Sequence, residues 1–193
     1  MVRVQLWVLV GCAAAEYVAE LVRRVRERVR DPGAARDVHA RSRRVLALTQ
    51  LPSVIVALAA AALLPALAMP GPPAIPFALG LVLLAGGLAL RWWAIVTLDR
   101  FFVGTIHIPA GHRIVTAGPY RRLRHPSYTG GWLFFAGIGL ACGNWLGLAV
   151  CAALPLAGLV LRIAPEERAL RAAAPGEYEA YARRTDRLIP FVW

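Results

Sequence analysis

The sequence predicts an all-α fold, a polytopic membrane helical bundle with about five transmembrane helices. Three observations predict it. Hydrophobic residues make up 59% of the 193-residue chain and mean hydropathy is +0.57, more than a soluble core of that size needs. The apolar residues gather into runs of about 20 or more, the length that crosses a bilayer. The 22 basic residues are all arginine and, Arg91 apart, border those runs, as topology signals do.

The first run, Val4 to Val22, resembles a signal peptide in its Ala13-Ala14-Ala15 stretch. Only Arg3 precedes it and a dense arginine cluster follows, which favours a retained signal anchor. The next two spans are expected at Val45 to Met69 and Phe77 to Leu98. The fourth apolar region, Tyr128 to Ile163, is too long for one helix. Cys142-Gly143-Asn144-Trp145 supplies a turn near its middle, so a tight helical hairpin is expected there. Gly139, Gly143 and Gly147 would form a close-packing face on one membrane helix; with a turn between them the spacing reads as accidental.

Nine arginines lie between Arg23 and Arg44, five between Arg100 and Arg124, and six between Arg162 and Arg187. Arginine accumulates in short cytoplasmic loops, so these three segments are assigned inside, and the N-terminus and the Pro70–Pro76 connection outside. The net charge of +11 is thus a matter of topology; no nucleic-acid-binding motif lies among the charges, and no nucleic-acid partner is expected. Cys12, Cys142 and Cys151 sit in apolar stretches without a CxxC pair and read as small buried hydrophobes.

Two polar segments meet on the cytoplasmic side. The first, His107 to Tyr128, is dense in ligand-binding groups and turn formers. Gly118-Pro119 marks a turn, and Pro126 near a helix start leaves neighbouring backbone N–H groups available to a ligand. An interfacial loop with arginine on headgroups and tyrosine in the aromatic belt also accounts for this composition. The second segment, Arg162 to Leu170, places Glu166 and Glu167 where the last span emerges. Arg162 and Glu166 share a helical face if Pro165 does not break the helix, as a candidate site pair or as a surface ion pair. His107, His112 and His125 fit no zinc signature, and no metal site is expected.

The pattern His112-x-x-Val115-x-x-Gly118-x-Tyr120-x-x-x-Arg124-His125-Pro126-x-Tyr128-x-Gly130, then an apolar hairpin, then Glu166-Glu167-x-x-Leu170, Tyr178-x-x-Tyr181 and Ile189-Pro190, resembles the isoprenylcysteine carboxyl methyltransferase family. That family is similar in its C-terminal part to phospholipid methyltransferases. The resemblance covers about the last 90 residues. The apolar runs put N-terminal transmembrane helices in residues 1–98, and the resemblance implies a methyltransferase region over 99–193, with a cytoplasmic C-terminal cofactor-binding region. The implied cofactor is S-adenosylmethionine, held by Thr105, His112, Arg113, Ile114, Val115, Tyr120, His125, Pro126, Ser127, Tyr128 and Glu166, with Arg162 on the acceptor side as the catalytic residue.

The implied reaction transfers a methyl group to an oxygen, the carboxylate of a prenylcysteine-like or other lipid acceptor or a phenolic lipid hydroxyl. A carboxylate, with a reference pKa near about 4, needs no base, whereas a phenol near about 10 does, and His125 is the candidate. The acceptor's apolar tail is expected to arrive laterally from the bilayer, and membrane lipids are the other expected partners. Exclusive use of arginine in an alanine-rich chain points to GC-rich coding and a bacterial plasma membrane. The rival readings are an NADPH-dependent sterol-type reductase, similar around Arg-His-Pro-x-Tyr but with Asn where Ser127 stands, and a non-catalytic lipid-binding scaffold.

Glu16 and Glu20, four apart in the first span, and Arg91 in the third are expensive in lipid and so are functional candidates. Glu20 lies one turn from Arg23 and Arg24. Arg91 is expected to pair with one of the glutamates or to snorkel to the interface. The stretch Pro175 to Arg184 reads as a short amphipathic surface helix closed by Leu188 to Trp193.

Overall fold

The computed structural model describes residues 2–30, 36–98 and 114–193. Five long helices, α1 (Val2–Arg30), α2 (Arg36–Leu63), α3 (Ala74–Leu98), α4 (Pro126–Ala141) and α5 (Trp145–Ala173), are followed by a short α6 (Glu177–Ala182). Three of the segments, Arg44–Leu63, Ala74–Leu98 and Trp145–Ala173, are long and apolar enough to cross a membrane. Among the described residues no strand forms; two isolated bridges pair Ala68 with Asn144 and Leu123 with Asp186.

Where the helices stop follows from local chemistry. α2 ends at Leu63, short of the expected Met69, because Pro65 opens a 3-10 turn over Pro65–Leu67 and proline supplies no N–H to continue the ladder. α3 begins at Ala74, ahead of the expected Phe77, because Pro76 falls in its first turn, where the missing donor has no helical acceptor to serve. The expected hairpin is present: Gly143, with φ +61°, turns the chain between α4 and α5. Asn144 then caps α5, its side chain accepting from Leu146 N and Gly147 N at 3.0 and 3.3 Å. The same amide donates to Ala60 O and Leu64 O, so one buried side chain joins the start of α5 to the end of α2.

α4 is the central helix. Small residues let its neighbours approach to backbone contact, the device that replaces hydrophobic driving force inside a bilayer. Gly80 and Gly87 of α3 face Gly137 and Gly130 of α4; a Cβ at Gly87 would meet Gly130 O at 2.6 Å, and one at Gly137 would meet Leu84 N at 2.6 Å. On the other side, Gly139 lies against Gly147, where a Cβ would stand 2.6 Å from the Gly147 oxygen. The four-residue spacing makes no single-helix face, since Gly143 lies in the turn; Gly139 and Gly147 instead meet across the hairpin. Ala57, Leu84, Phe134, Phe135, Ile138 and Cys151 form the core where α2, α3, α4 and α5 converge.

Most remaining large apolar side chains point outward, among them Trp7, Leu48, Leu63, Val82, Val96 and Leu161, the surface expected of helices in lipid. At 1.5 Å per residue α4 is about 24 Å long and α5 about 44 Å. α5 thus runs well past the level at which α4 begins. Its Cα–Cβ bonds tilt toward its own N-terminus, so Arg162 and Glu166 lean back onto the first turn of α4.

Gly87→Ala is expected to cost about 2 kcal/mol through overpacking. Gly86→Ala, with open space around its Cβ position, is expected to leave stability unchanged or slightly raised. Thermal unfolding in detergent distinguishes the pair, and equal melting temperatures for the two variants would refute the close-approach account.

Candidate functional site

The segment before α4 is built from the C-terminal tail. Arg124 N donates to Asp186 O at 2.7 Å, His125 N to Arg187 O at 3.1 Å, and Asp186 N to Arg122 O at 2.9 Å. The hydroxyl of Thr129 donates to Leu188 O at 2.8 Å. Upstream, Gly118 with φ +54° opens the 3-10 turn Gly118–Arg121 against Thr97 and Trp93 of α3. The Tyr181 hydroxyl donates to Tyr120 O and Leu123 O, fixing that turn beneath α6. Burial holds the phenols of Tyr120, Tyr178 and Tyr181 above their usual range, against the opposing pull of Arg124 on Tyr178 and Tyr181; these are neutral side chains.

From this foundation four of the expected site residues converge. Arg162 Nε donates to the Tyr128 hydroxyl at 2.6 Å, and that hydroxyl donates to Glu166 Oε2. Pro165 does not break α5, and Arg162 Nε lies 3.9 Å from Glu166 Oε2. His125 stacks on Tyr128 with ring centroids 5.3 Å apart and planes within 4°. Arg162 is buried, whereas the Glu166 side chain keeps 27% exposure. The result is a charged and aromatic cluster with one carboxylate open to solvent.

The remaining expected residues divide. Pro126 and Ser127 are buried in the first turn of α4, directly beside the cluster, and Tyr120 is buried in the turn before it. Ile114 and Val115 are half-buried in the irregular stretch leading to Gly118. Thr105, His112 and Arg113 lie outside the described residues. His125, the candidate base for a phenolic acceptor, is buried with Nδ1 3.8 Å from Glu166 Oε1 and Nε2 3.6 Å from Glu167 Oε1. Its Nε2, like the Tyr178 hydroxyl, is a buried polar atom with no hydrogen-bond partner among the described residues.

Sequence reasoning passed over the residue that assembles the site. Glu167, with a 2% exposed side chain, receives Arg124 Nε, Arg171 Nη2 and both Nε and Nη2 of Arg187, each at 3.1 Å. Arg124 also donates to Ala182 O at 2.6 Å and to Thr185 O. The Glu167 carboxylate holds the Arg187 guanidinium above its usual range. One carboxylate therefore joins α5, the start of α4 and the tail. The signal lay in the doubled Glu166-Glu167: adjacent residues on a helix point about 100° apart, so the two carboxylates serve different neighbours.

The sequence profile of the isoprenylcysteine carboxyl methyltransferase (ICMT) family matches residues 78–172, from early α3 to the end of α5. This stretch contains Tyr128, Arg162 and Glu166. Over this stretch, just under half of its length, the chain is similar to the ICMT family. A probable protein-S-isoprenylcysteine O-methyltransferase from rice (Oryza sativa subsp. indica) is 34% identical over 115 residues, which is 58% of this chain and 60% of the rice protein. Protein-S-isoprenylcysteine O-methyltransferase B of Arabidopsis thaliana is 33% identical over 115 residues, 58% of each chain. The chain thus spans about three-fifths of the length of these curated relatives. A solved structure of the eukaryotic intramembrane Ras methyltransferase ICMT superposes with a TM-score of 0.61 over 86% of this chain and 60% of that one, at 23% identity. The ICMT fold is shared, and with its apolar helices the chain is an integral membrane protein.

Glu167→Gln, which leaves three guanidinium groups without their buried counter-charge, is expected to cost about 3 kcal/mol. It should release the tail to proteolysis before the helices unfold. Limited proteolysis with mass mapping checks this, and uniform cleavage along the chain would contradict the assembly role.

Proposed function

We propose that this chain is a member of the ICMT family and an S-adenosylmethionine-dependent membrane methyltransferase acting on the carboxylate of a prenylcysteine-like or other isoprenoid acceptor. The observation that carries the reading is the chain of contacts from Arg162 through Tyr128 to Glu166. It supplies one buried cation for an anionic acceptor and one solvent-facing carboxylate for a cationic ligand. The family match and the names of the plant relatives support the reaction class.

The cluster suits the cofactor chemically. The stacked His125 and Tyr128 rings offer π-faces to an adenine or a sulfonium, and Glu166 offers acceptor oxygens to ribose hydroxyls or an ammonium group. Tyr120, Pro126 and Ser127 would form its floor, with Ile114 and Val115 alongside and Thr105, His112 and Arg113 completing the set. When bound, S-adenosylmethionine supplies an electrophilic methyl on its sulfonium. The acceptor carboxylate is ionised at neutral pH, its reference pKa being about 4, so no residue of the chain has to take a proton from it. Arg162 orients that carboxylate, and Tyr128 and Glu166 hold the guanidinium, so the protein's contribution is positioning and electrostatics. Neither the reductase nor the scaffold alternative draws support from these relatives.

Five helices crossing, with the arginine-rich segments on the cytoplasmic side of a bacterial plasma membrane, complete the proposal. Residues 1–98 then form the N-terminal helices and 99–193 the cofactor-binding region. The soluble cofactor arrives from the aqueous side and the acceptor tail from the lipid.

Calorimetry of S-adenosylhomocysteine with detergent-purified protein tests this directly. Micromolar binding is expected for wild type, weakened at least tenfold by Glu166→Ala and by Tyr128→Phe. Arg162→Lys is expected to retain binding while losing methylation of an S-farnesylcysteine. Folded wild type that binds no S-adenosylhomocysteine would overturn the proposal.

A further inference from the structure

Arg91 lies in the last third of α3, two helices away from Arg162 in sequence order, and its guanidinium is divided among three partners. Nε donates to Glu16 Oε1 at 2.9 Å and Nη2 to Glu20 Oε2 at 3.0 Å, both on α1. Nη1 reaches the backbone oxygen of Ser127, in the first turn of α4, at 3.3 Å. All three side chains are below one-fifth exposed, so the contacts are not the solvent-screened kind that contributes little. The sequence expectation that Arg91 pairs with one of the glutamates is met twice over; the third contact was not foreseen.

We propose that Arg91 is a positioning residue for the candidate site, anchored by Glu16 and Glu20, and that it acts by fixing the Ser127–Tyr128 turn. Three observations carry this. Tyr128, the residue after the held carbonyl, is the link between Arg162 and Glu166. The tail secures that turn through His125 N and the Thr129 hydroxyl, and Arg91 secures it through Ser127 O. The seat is also shaped for Arg91: a Cβ at Gly130 would collide with its backbone N at 2.6 Å, and one at Gly131 would stand 3.6 Å from Nη1. Glu20 is in addition close enough to act electrostatically on Arg162. α1 thereby reaches the site through charge.

The inference rests on the methyltransferase reading, because what Arg91 positions is the side chain assigned to the cofactor. A lysine at the same place keeps the positive charge near Glu16 and Glu20 but lacks the fork that serves three directions at once. A purely structural Arg91 and a positioning Arg91 therefore separate in the Lys variant.

Full-length wild type, Arg91→Lys, Arg91→Met and the double variant Glu16→Gln with Glu20→Gln are compared by S-adenosylhomocysteine calorimetry and by thermal unfolding in detergent. Arg91→Lys is expected to weaken affinity about tenfold with a nearly unchanged melting temperature, and Arg91→Met to weaken it further. In a Tyr128→Phe background the Arg91→Lys effect should disappear, since the residue acts through Tyr128. If Arg91→Met does not fold, Arg91→Lys decides. Affinity of the Lys variant within twofold of wild type, or the same loss in both Tyr128 backgrounds, overturns the positioning role while leaving the methyltransferase reading intact. No binding by folded wild type instead removes that reading, and this one with it.

Discussion

Everything near the site depends on how closely α3 and α4 lie together. Side chains of ordinary size at 80, 87, 130 and 137 would separate the two backbones, and Arg91 would no longer reach the Ser127 carbonyl. The cluster around Tyr128 would also lose the surface against which the first turn of α4 is set. Inside a bilayer the hydrophobic effect does not press helices together. Packing of bare backbone therefore does here what apolar burial does in water, and the tolerance for added volume is correspondingly small.

On that platform, two adjacent carboxylates on α5 divide the work. Glu166 stays partly exposed and pairs with a phenol, which leaves it suited to a ligand. Glu167 is buried among three arginines and binds the tail to the helix that carries the site. Their separation by one residue is enough, since a helix rotates the second carboxylate onto a different neighbour. The C-terminal tail is thus an integral part of the site's construction: it supplies the backbone groups that hold Arg124 and His125, and it takes its own anchor from Arg187.

Much of this was readable from the residues. The apolar runs marked the five long helices, Asn144 and Gly143 marked the hairpin, and the motif gathered His125, Tyr128, Arg162 and Glu166. What escaped has a common cause. The end of α2 was misread because hydropathy continues through Pro65 while hydrogen bonding does not. The contact of Gly139 with Gly147 went unseen because the turn that removes them from one helix face also folds them against each other. Glu167, Arg124 and Arg187 come together from three distant parts of the chain, and Arg91 finds a backbone carbonyl, an acceptor that every residue carries and no sequence pattern distinguishes. The side-chain chemistry was legible where it was local, and illegible where it depended on which backbones meet.

The shortness of α4 has a consequence for the membrane itself. A helix of about 24 Å is several ångströms less than the usual hydrocarbon thickness of about 30 Å. Hydrophobic mismatch of this sign is relieved by thinning of the surrounding lipid or by a recess over the short helix. With the hairpin end fixed beside α2, the deficit falls at the Pro126 end, where His125, Tyr128 and Glu166 stand. On the proposed five-span topology the headgroup plane would be drawn down around the cluster, so that water and acyl chains would share one depth. The proposed polar cofactor and greasy acceptor could then meet there without either leaving its own solvent.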